Sequence, residues 1–248
     1  MTAILEVRNL KKSFGAVTAA DDISVAINVG ERVGLIGTNG AGKTTFVNMV
    51  TGYLRADSGS ISLRGKEIGG QSPREITCAG VCRSFQIPQL FLNLTVAENL
   101  IVALGVPLGK ARWPFSSARS PDLLAPLEDL LTMYRLHEFR NRLVLELPGG
   151  VRKLLDIAVS VTRRPSLLLL DEPTSGVASE QKFVLMDIVV NALPEDVTVL
   201  FVEHDMEIIS RYSTRVLAFY DGRIISDGPP EIVLQDSLVK SYITGMPN

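Results

Sequence analysis

The sequence predicts an α/β fold, a three-layer core in which helices cover a largely parallel sheet. Three observations indicate it. Two uninterrupted apolar segments are typical of strands at the centre of a parallel sheet, residues 166–171 and 197–202. Each is followed by a helical pattern, over residues 179–193 and 205–213. A glycine-rich loop, residues 37–45, joins another apolar strand to a helix. Strands and helices that alternate in this way predict one sheet covered by helices.

The composition allows a sizeable core and excludes global disorder. Of 248 residues, 46% are hydrophobic and 21% are charged. The formal net charge of −2 offers no general electrostatic reason to bind nucleic acid or anionic lipid. No apolar run approaches the roughly 18–20 residues of a membrane-spanning helix, and the first residues do not resemble a signal peptide. We therefore expect a cytosolic chain.

Two cysteines, Cys78 and Cys82, are spaced as in half of a metal site. The sequence offers no second pair, and the nearest histidine lies far along the chain. Ordinary reduced thiols are therefore the prediction.

The first 65 residues predict a β-rich layer. Alternating apolar and polar residues indicate half-buried strands at 4–8 and 23–29, and glycines bound a further strand at 58–65. Residues 11–15 are predicted to form a turn. Residues 77–85 are predicted to form one more strand, which ends at Gln86.

The middle of the chain predicts a helical insertion. Thr95 and Glu98 have capping-box spacing and begin a helix to residue 105. Four prolines predict a loop or a broken helix over residues 106–126. Helical spacing returns over residues 122–136 and 148–161. We expect a helical subdomain at about 88–162, inserted into a core with an attached β layer at about 1–87 and 163–248.

The last part of the chain completes the predicted core. Asp221-Gly222 is a strong hairpin signal between short strands at 216–220 and 223–226. Pro229 and Pro230 then begin the last predicted helix. The whole chain, residues 1–248, is predicted to form one domain.

The segment GTNGAGKTT matches the phosphate-binding pattern G-x-x-x-x-G-K-[ST]. Glycines allow the backbone to approach phosphate closely, and the helix that follows adds the positive end of its dipole. Lys43 would reach the β- and γ-phosphates, and the Thr44 hydroxyl would ligate Mg²⁺. The sequence therefore predicts a site for a nucleoside triphosphate, made by Gly37, Thr38, Asn39, Gly40, Ala41, Gly42, Lys43, Thr44 and Thr45.

A second motif, Leu167–Glu172, places two acids after a run of four leucines. With the phosphate loop before it, the chain resembles the ABC transporter ATPases over nearly its whole length. The resemblance implies a P-loop nucleotide-binding domain with a RecA-like core, an antiparallel β subdomain and an inserted α-helical subdomain. It also implies that Asp171 holds Mg²⁺ and that Glu172 polarises the attacking water. The alternative for these acids is a solvated pair at a strand end.

The resemblance implies roles for three further residues. Gln86 falls where the family places a glutamine that senses the γ-phosphate through Mg²⁺. His204, after a buried strand, falls where the family places a histidine that contacts the γ-phosphate and holds the water in line. Phe14 matches the aromatic residue that stacks on adenine. Read alone, these residues would be a polar residue at a strand end, a structural histidine and a core phenylalanine.

Two segments depart from the family pattern. Family members carry a signature, typically Leu-Ser-Gly-Gly-Gln, that packs against the ATP of a partner subunit; this chain has Leu147-Pro148-Gly149-Gly150-Val151. Gly149 and Gly150 keep their backbone amides at a helix start, but the serine hydroxyl and the glutamine are lost. Residues 175–179, after the second motif, lack the usual Asp or Asn. We expect this chain to contribute a weakened signature to its partner's site.

Within the family, the chain resembles the ATPases of branched-chain amino-acid importers. The similar segments are residues 83–100, the proline-bearing insertion, residues 202–206 and the end from Ile232 with Tyr242. This implies uptake of branched-chain amino acids or related solutes, driven by ATP and Mg²⁺. It also implies permease subunits, a second ABC ATPase (a heterodimer, or else a homodimer) and, indirectly, a periplasmic binding protein. The alternatives are an export-system ATPase, a soluble ABC ATPase acting on nucleic acid or ribosomes, and a regulatory subunit.

Overall fold

The computed structural model describes residues 2–105 and 121–244, which form two compact units. The first, here called the sheet unit, contains the described residues of 1–82, 166–172 and 195–248. The second, here called the helical unit, contains those of 83–165 and 173–194. The predicted subdomain boundaries near residues 88 and 162 stay a prediction.

The secondary structure follows the predicted alternation of strands and helices. The strands are β1 (Ala3–Phe14), β2 (Val17–Asn28), β3 (Arg32–Gly37), β4 (Ser58–Leu63), β5 (Lys66–Glu67), β6 (Val81–Ser84), β7 (Leu167–Asp171), β8 (Thr198–Val202), β9 (Arg215–Tyr220) and β10 (Arg223–Gly228). The helices are α1 (Lys43–Val50), α2 (Pro73–Ala79), α3 (Val96–Gly105), α4 (Pro121–Met133), α5 (Gly149–Val161), α6 (Ser179–Ala192), α7 (Met206–Tyr212), α8 (Pro230–Val233) and α9 (Ser237–Val239). A π-helical turn follows at Lys240–Thr244.

The central sheet has six strands in the order β10-β9-β3-β8-β7-β6. The pairs β3–β8, β3–β9 and β7–β8 are parallel, whereas the hairpin β9–β10 is antiparallel. Every residue of β7 and β8 is buried, as their apolar sequences predict. Because parallel strands end at one edge of the sheet, the residues that follow β3, β7 and β8 lie at that edge.

The β layer is a four-stranded antiparallel sheet in the order β2-β1-β4-β5. Its apolar residues share one core with the central sheet, to which Leu5 and Ile27 contribute from one side and Leu169 and Leu217 from the other. The predicted turn at residues 11–15 is wrong over residues 11–14, because β1 continues to Phe14 and the turn falls at Gly15 and Ala16. Pairing with β2 on one side and β4 on the other extends the strand through these polar residues. Long-range pairing overrides the local signal there.

The predicted strand at residues 77–85 is also wrong at its start. Residues 73–79 form α2, and the strand begins only at Val81. Ser72 caps α2: its hydroxyl accepts from the Glu75 amide, and the Glu75 carboxylate accepts from the Ser72 amide. Gly80, at φ 108°, then ends the helix in the left-handed conformation. The sequence Ser72-Pro-Arg-Glu75 carries this capping-box signal.

The helical unit is built from α3, α4, α5 and α6. The capping box predicted at the start of α3 is confirmed, since the Thr95 hydroxyl accepts from the Glu98 amide at 3.2 Å. Residues 106–120 of the predicted loop lie outside the described residues. The helical spacing predicted over residues 122–136 is confirmed by α4, which begins at Pro121 and contains Pro126. Four buried leucines on one face of α4 hold this helix in the core, Leu123, Leu127, Leu130 and Leu131.

None of the helices in the described part of the chain is long and apolar enough to cross a membrane.

Candidate nucleotide and hydrolysis site

The phosphate loop connects the end of β3 to the start of α1. Gly42, just before α1, has φ 102°, which disfavours any residue with a side chain. A Cβ atom at Gly42 would stand 2.4 Å from the carbonyl oxygen of Ala19 and 3.3 Å from Cα of Gly222. The loop is therefore wedged against β2 and the β9–β10 turn. Only glycine fits this position.

Backbone hydrogen bonds hold the loop on the sheet unit. The Gly222 amide donates to the Ala41 carbonyl at 3.1 Å, and the Asp21 amide donates to the Gly222 carbonyl at 2.8 Å. The outer rim of the loop stays accessible: Thr38, Asn39, Gly40 and Thr44 are exposed, and Thr45 is half-buried. The structure therefore supports a rigid loop that presents amides and the Thr44 hydroxyl to a ligand.

Lys43 is the buried cation of this loop, with 6% of its surface exposed. Its Nζ donates to the carbonyl oxygens of Gly37 at 2.6 Å and Thr38 at 3.0 Å. Burial lowers the pKa of the Lys43 ammonium, while the nearby carboxylates of Glu172 and Asp171 oppose that shift. The fold thus places this lysine close to both acids of the second motif.

The two acids stand at the end of β7. Asp171 is buried, whereas Glu172 is half-buried and has φ 47°, a left-handed conformation that costs a non-glycine residue roughly 1–3 kcal/mol. The Glu172 amide donates to the Val202 carbonyl at 3.0 Å, which anchors this turn to β8. Strain of this kind is tolerated at sites where side-chain direction matters. It turns the carboxylate of Glu172 toward the loop that follows β8.

The residue of this loop that meets Glu172 is His204, the second residue after β8. Its Nε2 lies 3.2 Å from Oε1 of Glu172, and its side chain is 46% exposed. The structure therefore brings together two residues that are separated by thirty-two positions in the sequence. A carboxylate paired with an accessible imidazole can orient a water molecule and contact an anionic group.

Two positioning residues escaped the sequence analysis. Glu203 is buried, and its carboxylate accepts from the His204 amide at 3.2 Å. Asp57 accepts from the Ser13 amide at 2.8 Å and from Lys12 Nζ at 2.6 Å. The hydrogen bond from Lys12 lowers the pKa of the Asp57 carboxyl, with the Ser13 amide acting in the same direction. Only the turn sequence Asp57-Ser58-Gly59 hinted at such a role.

Phe14 follows directly after the segment that Asp57 anchors. Its ring is 51% exposed, and Lys12 Nζ lies 5.6 Å from the ring centroid. An exposed ring backed by a cation can stack on a planar base. Phe14 is thus available for adenine, and that role stays a prediction.

The helical unit carries the other predicted site residues. Gln86 lies on an exposed loop after β6, and its carbonyl accepts from Lys153 Nζ at 2.5 Å. Gly149 and Gly150 form the first turn of α5, and the preceding Pro148 offers no side-chain cap. The amides at this helix start are therefore available to an anion, as the sequence predicts. Arg152 Nε donates to the Leu147 carbonyl at 2.9 Å and fixes the entry to the helix.

The donor set fits a metal that arrives with a nucleotide. The described residues contain no group of three or more His, Cys, Asp and Glu side chains that could hold a metal ion. The Thr44 hydroxyl and the Asp171 carboxylate are oxygen donors of the kind that Mg²⁺ prefers, and phosphate oxygens complete such a shell in nucleotide-binding enzymes. The residues present therefore fit a nucleotide–Mg²⁺ complex.

Comparison with known families decides the identity of the fold. The sequence pattern of the family described as "ABC transporter" matches residues 20–175. The chain belongs to the ABC transporter family. It is an ATP-binding cassette, the component that hydrolyses ATP for transport, and the predicted fold class is confirmed. Nucleotide binding follows from membership of the family.

Relatives of this ABC ATPase match it over nearly their full length. The probable branched-chain amino acid transport ATP-binding protein LivG of Archaeoglobus fulgidus is 33% identical over 98% of this chain and 95% of its own. The high-affinity branched-chain amino acid transport ATP-binding protein BraF of Pseudomonas aeruginosa is 33% identical over 97% of each chain. The crystal structure of the ADP conformation of MJ1267, an ATP-binding cassette of an ABC transporter, superposes with a TM-score of 0.83 at 30% identity, covering 98% of both chains.

Replacement of Gly42 by alanine tests the loop geometry. We expect Gly42→Ala to weaken ATP binding at least about tenfold, since a Cβ would collide with the Ala19 carbonyl. Titration with a fluorescent ATP analogue measures the affinity. Gly65→Ala is the matched control, because Gly65 also has positive φ, at 77°, but has no atom within 4 Å of the position that a Cβ would take. Equal ATP affinities for the two variants would contradict the claim that the tight contacts of Gly42 set the conformation of the loop.

Proposed function

We propose that this chain is the ATP-hydrolysing subunit of an importer of branched-chain amino acids or related small polar solutes. The observation that carries the solute class is the full-length similarity to relatives named for branched-chain amino acid transport. The geometry supports hydrolysis through the pair formed by Glu172 and His204, 3.2 Å apart. The chain would work in the cytoplasm, peripherally on the inner face of the cell membrane.

Each phosphate would be held by a different part of the site. The amides of Gly37–Thr45 would surround the β-phosphate, and Lys43 would exchange its two carbonyl partners for β- and γ-phosphate oxygens. Thr44, Asp171 and Gln86 would hold Mg²⁺, which neutralises charge between the β- and γ-phosphates when bound. Phe14 would stack on adenine. The triphosphate would thereby be fixed before hydrolysis begins.

Hydrolysis would then depend on positioning. Glu172 would accept a hydrogen bond from the attacking water and turn it toward the γ-phosphate, and His204 would hold that water in line while it contacts the γ-phosphate. The left-handed backbone of Glu172 and the hydrogen bond from the His204 amide to Glu203 constrain the backbone at both residues beforehand. Little reorganisation would remain for the chemical step.

The proposed partners are two permease subunits and a second, different ABC ATPase, with a homodimer as the alternative; a periplasmic binding protein would act indirectly, and no nucleic acid is expected. In such a pair, Gly149 and Gly150 of this chain would donate amides to the partner's ATP. Pro148 and Val151 cannot supply the family's serine hydroxyl and glutamine. We propose that the partner's composite site is the weaker of the two.

Glu172→Gln tests the hydrolytic role. We expect ATP turnover at this site to fall at least about 100-fold, because an amide cannot act as a general base, while ATP binding persists. Phosphate release and retained nucleotide are measured on the purified complex. Glu195→Gln, which neutralises an exposed acid of the same unit, should hydrolyse ATP at the unchanged rate. Normal turnover in Glu172→Gln would refute the assignment.

Pro148→Ser tests the weakened signature. In the assembled complex, this change restores a hydroxyl at the cap of α5, where Pro148 offers none. We expect ATP affinity and turnover at the partner's site to rise about tenfold, the effect of one added hydrogen bond to a charged group. ATPase assays of a complex with an inactive Glu172→Gln site isolate that contribution. Unchanged turnover and affinity would remove the support for this hypothesis.

Purification of the tagged chain from detergent-solubilised native membranes tests the transport role. We expect two permeases and a second ABC ATPase, identified by mass spectrometry. Recovery with ribosomes or nucleic acid, or alone in the soluble fraction, would overturn the importer and leave the ATPase. Recovery with components of an export system would show that the chain serves an exporter and not an importer.

A further inference from the structure

Two buried charges lie on α5, the helix that begins with the signature glycines. Lys153 and Asp156 each expose only 4% of their surface. Both face residues 85–89, here called the glutamine loop because it carries Gln86. All of these residues belong to the helical unit. Neither charge has a part in the hydrolysis described above.

The Asp156 carboxylate accepts three hydrogen bonds from the strand end and the loop. Its Oδ2 accepts from the Ser84 hydroxyl at 2.6 Å and from the Phe85 amide at 3.2 Å. Its Oδ1 accepts from the Gln89 amide at 3.1 Å. One carboxylate therefore ties both ends of the glutamine loop to α5.

Lys153, almost one turn earlier on α5, binds the same loop through its carbonyls. Its Nζ donates to the Phe85 carbonyl at 3.2 Å and to the Gln86 carbonyl at 2.5 Å. The backbone of Gln86 is thus anchored at its own carbonyl and on both sides. Gln86 itself remains exposed, so these hydrogen bonds constrain its backbone without burying the residue.

The buried charges are costly to keep. Burial raises the pKa of the Asp156 carboxyl, and this effect exceeds the opposing hydrogen bonds from Ser84, Gln89 and Phe85 and the attraction of Lys153. Apolar residues of similar size often replace a buried ion pair without loss of stability. What apolar residues could not provide is the fixed position of the loop amides and carbonyls. The arrangement therefore indicates that Asp156 and Lys153 position the glutamine loop rather than add to the stability of the fold.

We propose that Asp156 and Lys153 are positioning residues that fix the glutamine loop to the signature helix and so set the reach of Gln86 toward the γ-phosphate. This inference rests on the proposed function, in which Gln86 senses the γ-phosphate. A loosened loop would weaken the binding of MgATP. It would weaken the binding of MgADP less, because ADP has no γ-phosphate for Gln86 to sense through Mg²⁺.

The experiment compares MgATP and MgADP affinities of the full-length purified chain by calorimetry. Asp156→Asn keeps the size of the side chain but replaces one carboxylate oxygen by an NH₂ group. That group cannot accept a hydrogen bond from a loop amide, so the attachment of α5 to one end of the glutamine loop is lost. We expect MgATP affinity to fall about tenfold, the effect of one hydrogen bond to a charged group, and MgADP affinity to fall clearly less. Gln86→Ala should show the same selective loss. Glu138→Gln, which removes an exposed charge of the same unit, should show none.

The double variant separates positioning from plain stabilisation. In a Gln86→Ala background, Asp156→Asn should cause no further loss of MgATP affinity, because the residue through which it acts is gone. If Asp156→Asn does not fold, Ser84→Ala takes its place in the test. This change removes a single hydrogen bond to the Asp156 carboxylate and should give a smaller selective loss of MgATP affinity. Thermal unfolding of each variant identifies the folded ones.

Two results would overturn the inference, and they differ. If Gln86→Ala leaves the ratio of MgATP to MgADP affinity unchanged, the proposed role of Gln86 fails and the inference fails with it. If Gln86→Ala is selective but Asp156→Asn and Ser84→Ala weaken both nucleotides equally, or add their full effect in the Gln86→Ala background, the role of Gln86 stands. Asp156 and Lys153 then stabilise the fold without positioning Gln86.

Discussion

The close approach of the phosphate loop to its supporting backbone is the constraint on which the site depends. At Gly42 there is no room for even one methyl group, because the Ala19 carbonyl and the Gly222 backbone close in on it. The β layer and the β9–β10 turn therefore together fix the conformation of the phosphate loop. Phe46 and Phe219, with ring centroids 5.5 Å apart, fill the space between α1 and the central sheet behind it. A loop held in this way loses little entropy when a phosphate binds.

Electrostatics at the sheet edge depend on that placement. Lys43 is buried beside Asp171 and Glu172, so an ammonium group and two carboxylates share a partly desolvated space. Interactions between charges are stronger there than in bulk water. An incoming triphosphate would bring further negative charge, for which Mg²⁺ and the loop amides would compensate. The strained Glu172 and its partner His204 stand where β7 and β8 end, the edge at which ligands bind in such sheets.

The helical unit adds a second set of groups that act through backbone atoms. The glutamine loop and the signature glycines are carried by one strand end and one helix, joined through Asp156 and Lys153. Pro148 removes the side-chain cap that a serine would offer, so α5 presents amides alone. Under the proposed function, a chain that keeps its hydrolytic residues but has a reduced signature would suit a pair of unlike ATPases. Its own site and the site it completes would then differ in strength.

The sequence alone determined the elements whose signal is local. Gly37–Thr45 and the apolar strands β7 and β8 are recognisable because spacing and hydrophobicity within a few residues define them. They were enough to predict the fold class and to nominate the phosphate loop and the acids after β7 as site residues. Local signals misplaced residues 11–14 and 77–79, where strand pairing and a helix cap prevail.

Only the tertiary structure decided how distant residues meet. The contact of His204 with Glu172, the anchoring of Ser13 by Asp57 and the clamp of Asp156 on the glutamine loop join residues from 32 to 72 positions apart. No periodicity in the sequence encodes such pairs. They form because the order of strands in a sheet and the packing of a helix are set by burial of the whole core, and the polar partners are brought together as a consequence.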